Sequence, residues 1–81
     1  MSKYNYQNLI EFLNNQVDVF VKITYSQMEE LLEKKLPSSA YKYQAYFSND
    51  KTHHIPRVWL ELGYKKIELA LGEYLILKKI K

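Results

Sequence analysis

The sequence contains no cysteine, and its 81 residues include only two glycines and two prolines. Without cysteine there are no disulfide bonds, thiolate zinc sites or thiol chemistry, which fits a reducing compartment such as the cytoplasm. The low glycine and proline content, with 47% hydrophobic residues, argues against disorder. Because glycine occurs only at positions 63 and 72, the sequence cannot encode a glycine-rich phosphate loop or a nucleophile elbow.

Long apolar runs are lacking as well. The longest run is Tyr74 to Leu77, far too short to cross a bilayer. The first residues, Met1 to Asn5, do not resemble a signal peptide. We therefore expect a cytoplasmic protein with no membrane partner. A chain of this length forms one hydrophobic core, so residues 1–81 should make a single domain.

Apolar residues recur at helical spacing near both ends of the chain. A first helix is expected over residues 4–14, with an apolar stripe formed by Tyr6, Leu9, Ile10 and Leu13. A last helix should have Pro56 at its first position, with a stripe formed by Ile55, Val58, Trp59 and Leu62. Gly63 is suited to a left-handed C-terminal cap for this helix. We expect Trp59 to be buried on its stripe.

Residues that alternate between apolar and polar predict three strands. In residues 17–24, the side expected to face the core consists of Val17, Val19, Val21 and Ile23. Near the C-terminus, two further alternating sets flank Gly72-Glu73, namely Ile67, Leu69 and Leu71 before it and Tyr74, Ile76 and Ile80 after it. A two-residue loop with glycine first predicts a type II′ turn that pairs Leu71 with Tyr74.

Two more helices are expected between these elements, separated by Leu36-Pro37-Ser38. The second helix should begin at Ser26, since Ser26 and Glu29 fit a capping box, and it should end by Lys35, before Pro37. The third should be capped by Ser38 or Ser39 and reach about Asn49. Such a short connection is typical of a helix-turn-helix.

The order of elements predicts an α+β domain. Three or four helices should pack with a small antiparallel sheet that ends in a C-terminal β-hairpin. A helix-turn-helix followed by such a hairpin is typical of a winged helix-turn-helix, here with an extra helix before the wing.

Several segments, in order along the chain, resemble a family of small bacterial and phage domains of unknown function. That family has Leu-Pro, Ser-Ala, Trp-Trp-x-Asn, a histidine and Trp-Leu-x-x-Gly-Trp. The corresponding segments here are Thr24-Tyr25 with Glu29, Leu36-Pro37-Ser38-Ser39-Ala40, Tyr46-Phe47-Ser48-Asn49, His54 and Trp59-Leu60-Glu61-Leu62-Gly63-Tyr64. Tyr46-Phe47 replaces the two tryptophans and Tyr64 the last one, so aromatic bulk is kept. The resemblance implies a single domain and no particular activity.

The charge distribution suggests where a polyanion could bind. Residues 1–49 hold equal numbers of basic and acidic side chains, so the whole net charge of +3 lies in residues 50–81. Asparagine, lysine, tyrosine and serine on the outward side of the third helix could contact bases and phosphates. The hypothesis is that duplex DNA is contacted by this helix, the residues after it and the hairpin, through Ser38, Ser39, Lys42, Tyr46, Asn49, Lys51, Arg57, Lys65, Lys66 and Lys78.

Protein binding is the alternative that the sequence leaves open. Eight tyrosines in 81 residues is a high content, and tyrosine is enriched in interface cores. The chain could inhibit a host protein, as phage or mobile-element proteins do, or form a homodimer. No catalytic constellation is present, and the adjacent His53 and His54 point in opposite directions on an extended segment. We expect no enzyme activity, no metal and no cofactor.

Overall fold

The computed structural model describes residues 6–50 and 53–80. These residues form an α+β fold with four α-helices, one 3-10 helix and a three-stranded antiparallel sheet that ends in a C-terminal hairpin. In chain order the elements are α1 (Tyr6–Asn14), β1 (Phe20–Thr24), α2 (Tyr25–Leu32), α3 (Ser38–Lys42), the 3-10 helix (Gln44–Phe47), α4 (His54–Glu61), β2 (Tyr64–Ala70) and β3 (Tyr74–Lys79).

The helices and one face of the sheet share the hydrophobic core. From α1, Leu9 and Leu13 are fully buried, and α1 packs against α2 and α4. β2 contributes Tyr64, and β1 and β3 contribute every second residue, namely Val21, Ile23, Leu75 and Leu77. Since a strand directs alternate side chains to opposite faces, the residues between these four point away from the helices.

The sheet has the strand order β1-β3-β2, so the last strand lies in the middle. The strand expected over residues 17–24 is shorter than its alternating pattern. Val21 and Ile23 face the core as predicted, but β1 begins only at Phe20, and Val17 is 95% exposed. The backbone N–H of Lys79 donates to the carbonyl of Val19 at 2.7 Å, so the end of β3 contacts the residue before β1.

The start of α2 is capped by a different pair from the one predicted. Thr24 Oγ1 accepts the N–H of Gln27 at 3.0 Å, and Gln27 Oε1 accepts the N–H of Thr24 at 3.0 Å. The prediction of Ser26 with Glu29 is therefore wrong, because Thr24 and Gln27 fit the same motif two residues earlier. The helix ends at Leu32, within the predicted limit of Lys35, because Glu33 takes a left-handed conformation with φ 57°.

The third helix does not reach Asn49, and that prediction is also wrong. α3 has five residues and ends at Lys42, because the next residue, Tyr43, is extended, and a separate 3-10 helix follows. The N-cap residue is Pro37, and no serine side chain caps the helix. The break lets Phe47 enter the core, where it is fully buried and its ring lies 5.9 Å from that of Trp59. Burial of a large aromatic side chain outweighs a few helical hydrogen bonds.

The last helix agrees well with its sequence pattern. Trp59 is fully buried, as predicted, and Gly63 has the positive φ of 91° expected of a left-handed cap. The helix starts at His54, so Pro56 is its third residue rather than its first. This position still lies in the first turn, where backbone N–H groups have no partner within the helix.

The hairpin forms where expected but in another register. Ala70 pairs with Tyr74, Leu69 with Leu75 and Glu68 with Ile76, so the loop has three residues rather than two. Gly72 has φ 80°, and the N–H of Glu73 donates to Ala70 at 2.8 Å, as in a type II turn. The predicted pairing of Leu71 with Tyr74 is therefore wrong. The extra loop residue turns Leu75 and Leu77 toward the core, in place of Tyr74 and Ile76.

Candidate functional site

The outward face of the sheet, directed away from the helices, carries lysines from all three strands. Strand pairing arranges this face in three rows, and each row crosses the strands in the order β1, β3, β2. The first row is Phe20, Lys78 and Lys65, the second is Lys22, Ile76 and Glu68, and the third is Thr24, Tyr74 and Ala70.

The first row, which we call the basic row, places two lysines side by side. Lys65 and Lys78 are directly opposite one another on β2 and β3, and both are exposed. Side chains in such positions lie about 5 Å apart at Cβ, where like charges are unfavourable. Neither lysine forms an ion pair with a carboxylate of residues 6–50 or 53–80.

Phe20 completes the basic row on β1. Its side chain is 57% exposed, although it is a large aromatic group. The Nζ of Lys78 lies 5.9 Å from the ring centroid, which is near the limit of a cation–π interaction. The ring is therefore only loosely covered.

In the other two rows, the ring of Tyr74 is covered by a lysine side chain more closely than the ring of Phe20. Lys22 Nζ lies 4.3 Å from the centroid of the Tyr74 ring, and the Tyr74 hydroxyl donates to Glu68 Oε2 at 3.0 Å. This hydrogen bond to a carboxylate raises the pKa of Tyr74 above 10.0. Tyr74, Lys22 and Glu68 thus form one connected group at the centre of the face.

Residues predicted to contact DNA from the third helix lie far from the basic row. Ser38, Ser39 and Lys42 belong to α3, in the helical layer. A side chain at Gly72 would lie 3.7 Å from Tyr41 of α3, so this helix is next to the hairpin loop. The basic row lies at the opposite end of the strands, about 13 Å along the hairpin at roughly 3.3 Å per residue. The predicted residues therefore do not form one surface.

Asn49, predicted to contact bases, makes a local structural contact. Its Oδ1 accepts the N–H of Lys66 at 2.8 Å, and its Nδ2 donates to the Lys66 carbonyl at 2.9 Å. The carboxamide thus pairs with the free edge of β2 as a further strand would. Tyr46, the other predicted aromatic contact, is half-buried and packs edge-on against Phe47 with ring centroids 5.0 Å apart.

The remaining predicted residues are divided between the layers. Arg57 Nε donates to Glu61 Oε2 at 3.0 Å on the exposed side of α4. Lys66 points to the core side of β2 and is half-buried, and burial lowers the pKa of its amine. Lys51 lies outside the described residues. Of the predicted residues that the structure describes, only Lys65 and Lys78 share the outward face.

The tyrosines are used largely inside the fold. Four hydroxyls donate to internal acceptors: Tyr25 to the Ala40 carbonyl, Tyr41 to Glu29, Tyr64 to the Leu13 carbonyl and Tyr74 to Glu68. Burial raises the pKa of Tyr25, and the bond to Glu29 raises that of Tyr41. The high tyrosine content therefore reflects internal hydrogen bonding at these positions. Tyr43 is the most exposed large aromatic of the described residues, at 64%.

Two features are absent from the described part of the chain. Residues 6–50 and 53–80 contain no group of three histidine, aspartate or glutamate side chains placed to hold a metal ion. None of the helices in these residues is long and apolar enough to cross a membrane.

Comparison with known proteins supports a domain family of unknown function. A family model described as domain of unknown function DUF7662 matches residues 6–81. The chain belongs to the DUF7662 family. No curated protein and no solved structure matches this DUF7662 domain.

Sequence reasoning missed two residues of the outward face of this DUF7662 domain. Phe20 and Lys22 lie on the polar side of the alternating pattern in β1, opposite the buried Val21 and Ile23. An aromatic residue at a position that should face solvent is the signal that could have identified Phe20. The hairpin residues that join them could not be assigned to one face while the register was wrong by one residue.

Proposed function

We propose that this domain is a non-enzymatic nucleic-acid-binding domain, and that the basic row at the end of the sheet makes the main contact. The observation that carries the proposal is the direct opposition of Lys65 and Lys78 on the outward face. Two like charges in adjacent cross-strand positions disfavour the fold unless an anion lies between them. Phosphate groups along a nucleic acid would supply that charge.

The charge of the surrounding face supports the same proposal. Lys22 lies two residues from Phe20 on β1, which adds a third cation to the two of the basic row. Glu68 is the single acid in the three rows, and its Oε2 already accepts the Tyr74 hydroxyl. A negatively charged ligand would therefore meet three lysines and one carboxylate that already accepts a hydrogen bond.

If the domain is a winged helix-turn-helix, the hairpin is its wing and would share in binding the nucleic acid. The short connection through Pro37 between α2 and α3, and the hairpin after α4, support that interpretation. However, α3 has only five residues, and the Asn49 carboxamide is bonded to Lys66. We therefore propose the hairpin, and not the helix, as the main contact with a nucleic acid.

Protein binding is the second candidate, favoured by an apolar group beside the basic row. Val17, Val19 and Ile80 are exposed by 95%, 49% and 58%, and the contact of Lys79 with Val19 brings these segments together. Contiguous exposed apolar surface is typical of interfaces, including those of homodimers. Such binding would depend little on salt, whereas phosphate binding weakens steeply with salt.

The proposal is tested by substituting the lysines of the basic row. Fluorescence anisotropy would measure the affinity for labelled mixed-sequence oligonucleotides at about 50 mM and about 200 mM salt. The double variant Lys65→Gln/Lys78→Gln should weaken binding to every sequence and reduce the salt dependence of the affinity. The matched control is Lys35→Gln with Lys42→Gln, which removes two exposed lysines from the helical side.

The control variant should bind as the unchanged protein does. Equal loss in both variants would show that net charge, and not the basic row, attracts the ligand. The absence of salt-dependent affinity for any oligonucleotide would overturn the proposal. Concentration-dependent self-association or a protein complex insensitive to salt would then favour the apolar group as the functional surface.

A further inference from the structure

The outward face of the sheet carries one aromatic ring that is available for stacking. Phe20 is 57% exposed and lies in the same row as Lys65 and Lys78. We propose that this face takes a single-stranded nucleic acid in preference to a duplex, with one base stacked on Phe20 and the neighbouring phosphates bound by Lys22, Lys65 and Lys78. This inference rests on the proposed function and specifies the class of ligand.

The preference for a single strand follows from the chemistry of the ring. Phenylalanine has no polar atom with which to read the edge of a base, but its face can stack on any base that is not already stacked. In a duplex the bases are paired and stacked on one another, so a flat sheet would reach only phosphates. In a single strand both the base faces and the phosphates are accessible.

Phe20 differs from Tyr74, the other aromatic residue on this face. The Tyr74 ring has Lys22 Nζ at 4.3 Å, and its hydroxyl is bonded to Glu68. A base could stack there only after that connected group was taken apart. Lys78 Nζ lies farther from the Phe20 ring, at 5.9 Å, so a short movement of the lysine toward a phosphate would uncover the ring.

The spacing of the basic row suits one nucleotide and its phosphates. Phe20 and Lys65 lie on the two outer strands with Lys78 between them, so the row is roughly 10 Å wide at about 4.8 Å per strand. Lys22 lies about 7 Å from Phe20 along β1, at roughly 3.3 Å per residue. Lys78 and Lys22 therefore lie on two sides of the Phe20 ring, where they could bind the phosphates on either side of a base stacked on it.

The test compares one sequence in three forms. Labelled single-stranded DNA of about 12 nucleotides, the RNA of the same sequence and the corresponding DNA duplex would be titrated at low salt. The unchanged protein should bind the single strands more tightly than the duplex. DNA and RNA single strands share the proposed chemistry, and their relative affinities would show which of them is preferred.

Substitutions at Phe20 then measure how much base stacking on its ring contributes to the affinity. Phe20→Leu keeps apolar bulk and removes the ring, and it should weaken single-strand binding by about 5- to 150-fold, the range for one base–aromatic stack. Phe20→Trp should retain or strengthen binding. Tyr43→Leu removes an exposed ring from the helical side and should change nothing. Thermal melting would confirm that each variant is folded.

The outcomes separate this inference from the function on which it rests. Equal or tighter binding of the duplex, or unchanged single-strand affinity in Phe20→Leu, would overturn the single-strand inference. If the double variant Lys65→Gln/Lys78→Gln still weakened binding in that case, the proposed function would stand without this inference. If no oligonucleotide bound at low salt, both proposals would fail.

Discussion

Asn49→Ala should destabilise the fold without weakening ligand binding. The change removes two hydrogen bonds that join the segment after the 3-10 helix to the backbone of Lys66, with lengths of 2.8 and 2.9 Å. A typical hydrogen bond contributes about 0.5–1.5 kcal/mol net. Because this contact is exposed, we expect the lower half of the summed range, a loss of about 1–2 kcal/mol in the free energy of unfolding. For a domain of this size, that corresponds to roughly 5–15 °C in melting temperature.

Urea denaturation followed by circular dichroism would measure this loss. Asn49→Asp keeps an acceptor for the Lys66 N–H but cannot donate to the Lys66 carbonyl, so it should also destabilise. The matched control is Asn15→Ala, an exposed asparagine after α1, which should change stability by less than about 0.5 kcal/mol. Equal stability of Asn49→Ala and the control, with weaker oligonucleotide binding in Asn49→Ala alone, would refute the reasoning and restore Asn49 as a base contact.

Three further predictions concern the core, the hairpin loop and alkaline pH. Trp59→Ala should lower the free energy of unfolding by about 3–5 kcal/mol and unfold so small a domain. Trp59→Phe should lower it much less, because the indole N–H has no acceptor in the described residues. Urea titration would distinguish the two variants. Gly72→Ala should cost about 1–2 kcal/mol through its positive φ of 80°, and Gly72→Asn less, with melting temperature as the readout. Tyr25, Tyr41 and Tyr74 have pKa values raised above 10.0, so the unfolded chain loses these phenol protons first. Stability should therefore fall as pH rises through about 10, although Lys66, with its lowered pKa, works in the opposite direction. Urea midpoints at about pH 8 and about pH 11 that did not differ would contradict this.

Elements with strong local signals could be predicted from the sequence. The apolar stripe of α4 correctly predicted that Trp59 is buried. Gly63 correctly predicted a left-handed residue after the helix. The alternation in β1 correctly placed Val21 and Ile23 in the core. In these segments, local preference and burial favour the same structure.

Features decided by tertiary contacts could not be predicted. The interruption at Tyr43 depends on the burial of Phe47 beside Trp59, which no local pattern records. The three-residue hairpin loop depends on which face of β3 meets the core, and both registers leave apolar residues inside. Thr24 with Gln27 and Ser26 with Glu29 are equally good capping boxes by sequence, and the end of β1 selects the first.

The candidate site was only partly predictable for the same reason. The basic hairpin was evident from charge, and Lys65 and Lys78 do lie together on the outward face. The expected contribution of Asn49 and Tyr46 assumed one continuous helix, which the extended Tyr43 interrupts. Phe20 joins the lysines only through the pairing of β1 with β3, a contact between distant parts of the chain.

The most direct test of the central claim is a map of the bound surface by nuclear magnetic resonance. A single-stranded oligonucleotide would be titrated into isotope-labelled protein at low salt, and shifts of the Phe20 ring and of lysine side chains would be followed. The account predicts that the largest shifts occur at Phe20, Lys22, Lys65 and Lys78, while Lys42 and Tyr43 on the helical side remain unchanged. Shifts centred on α3, or no shifts at any of these residues, would contradict it.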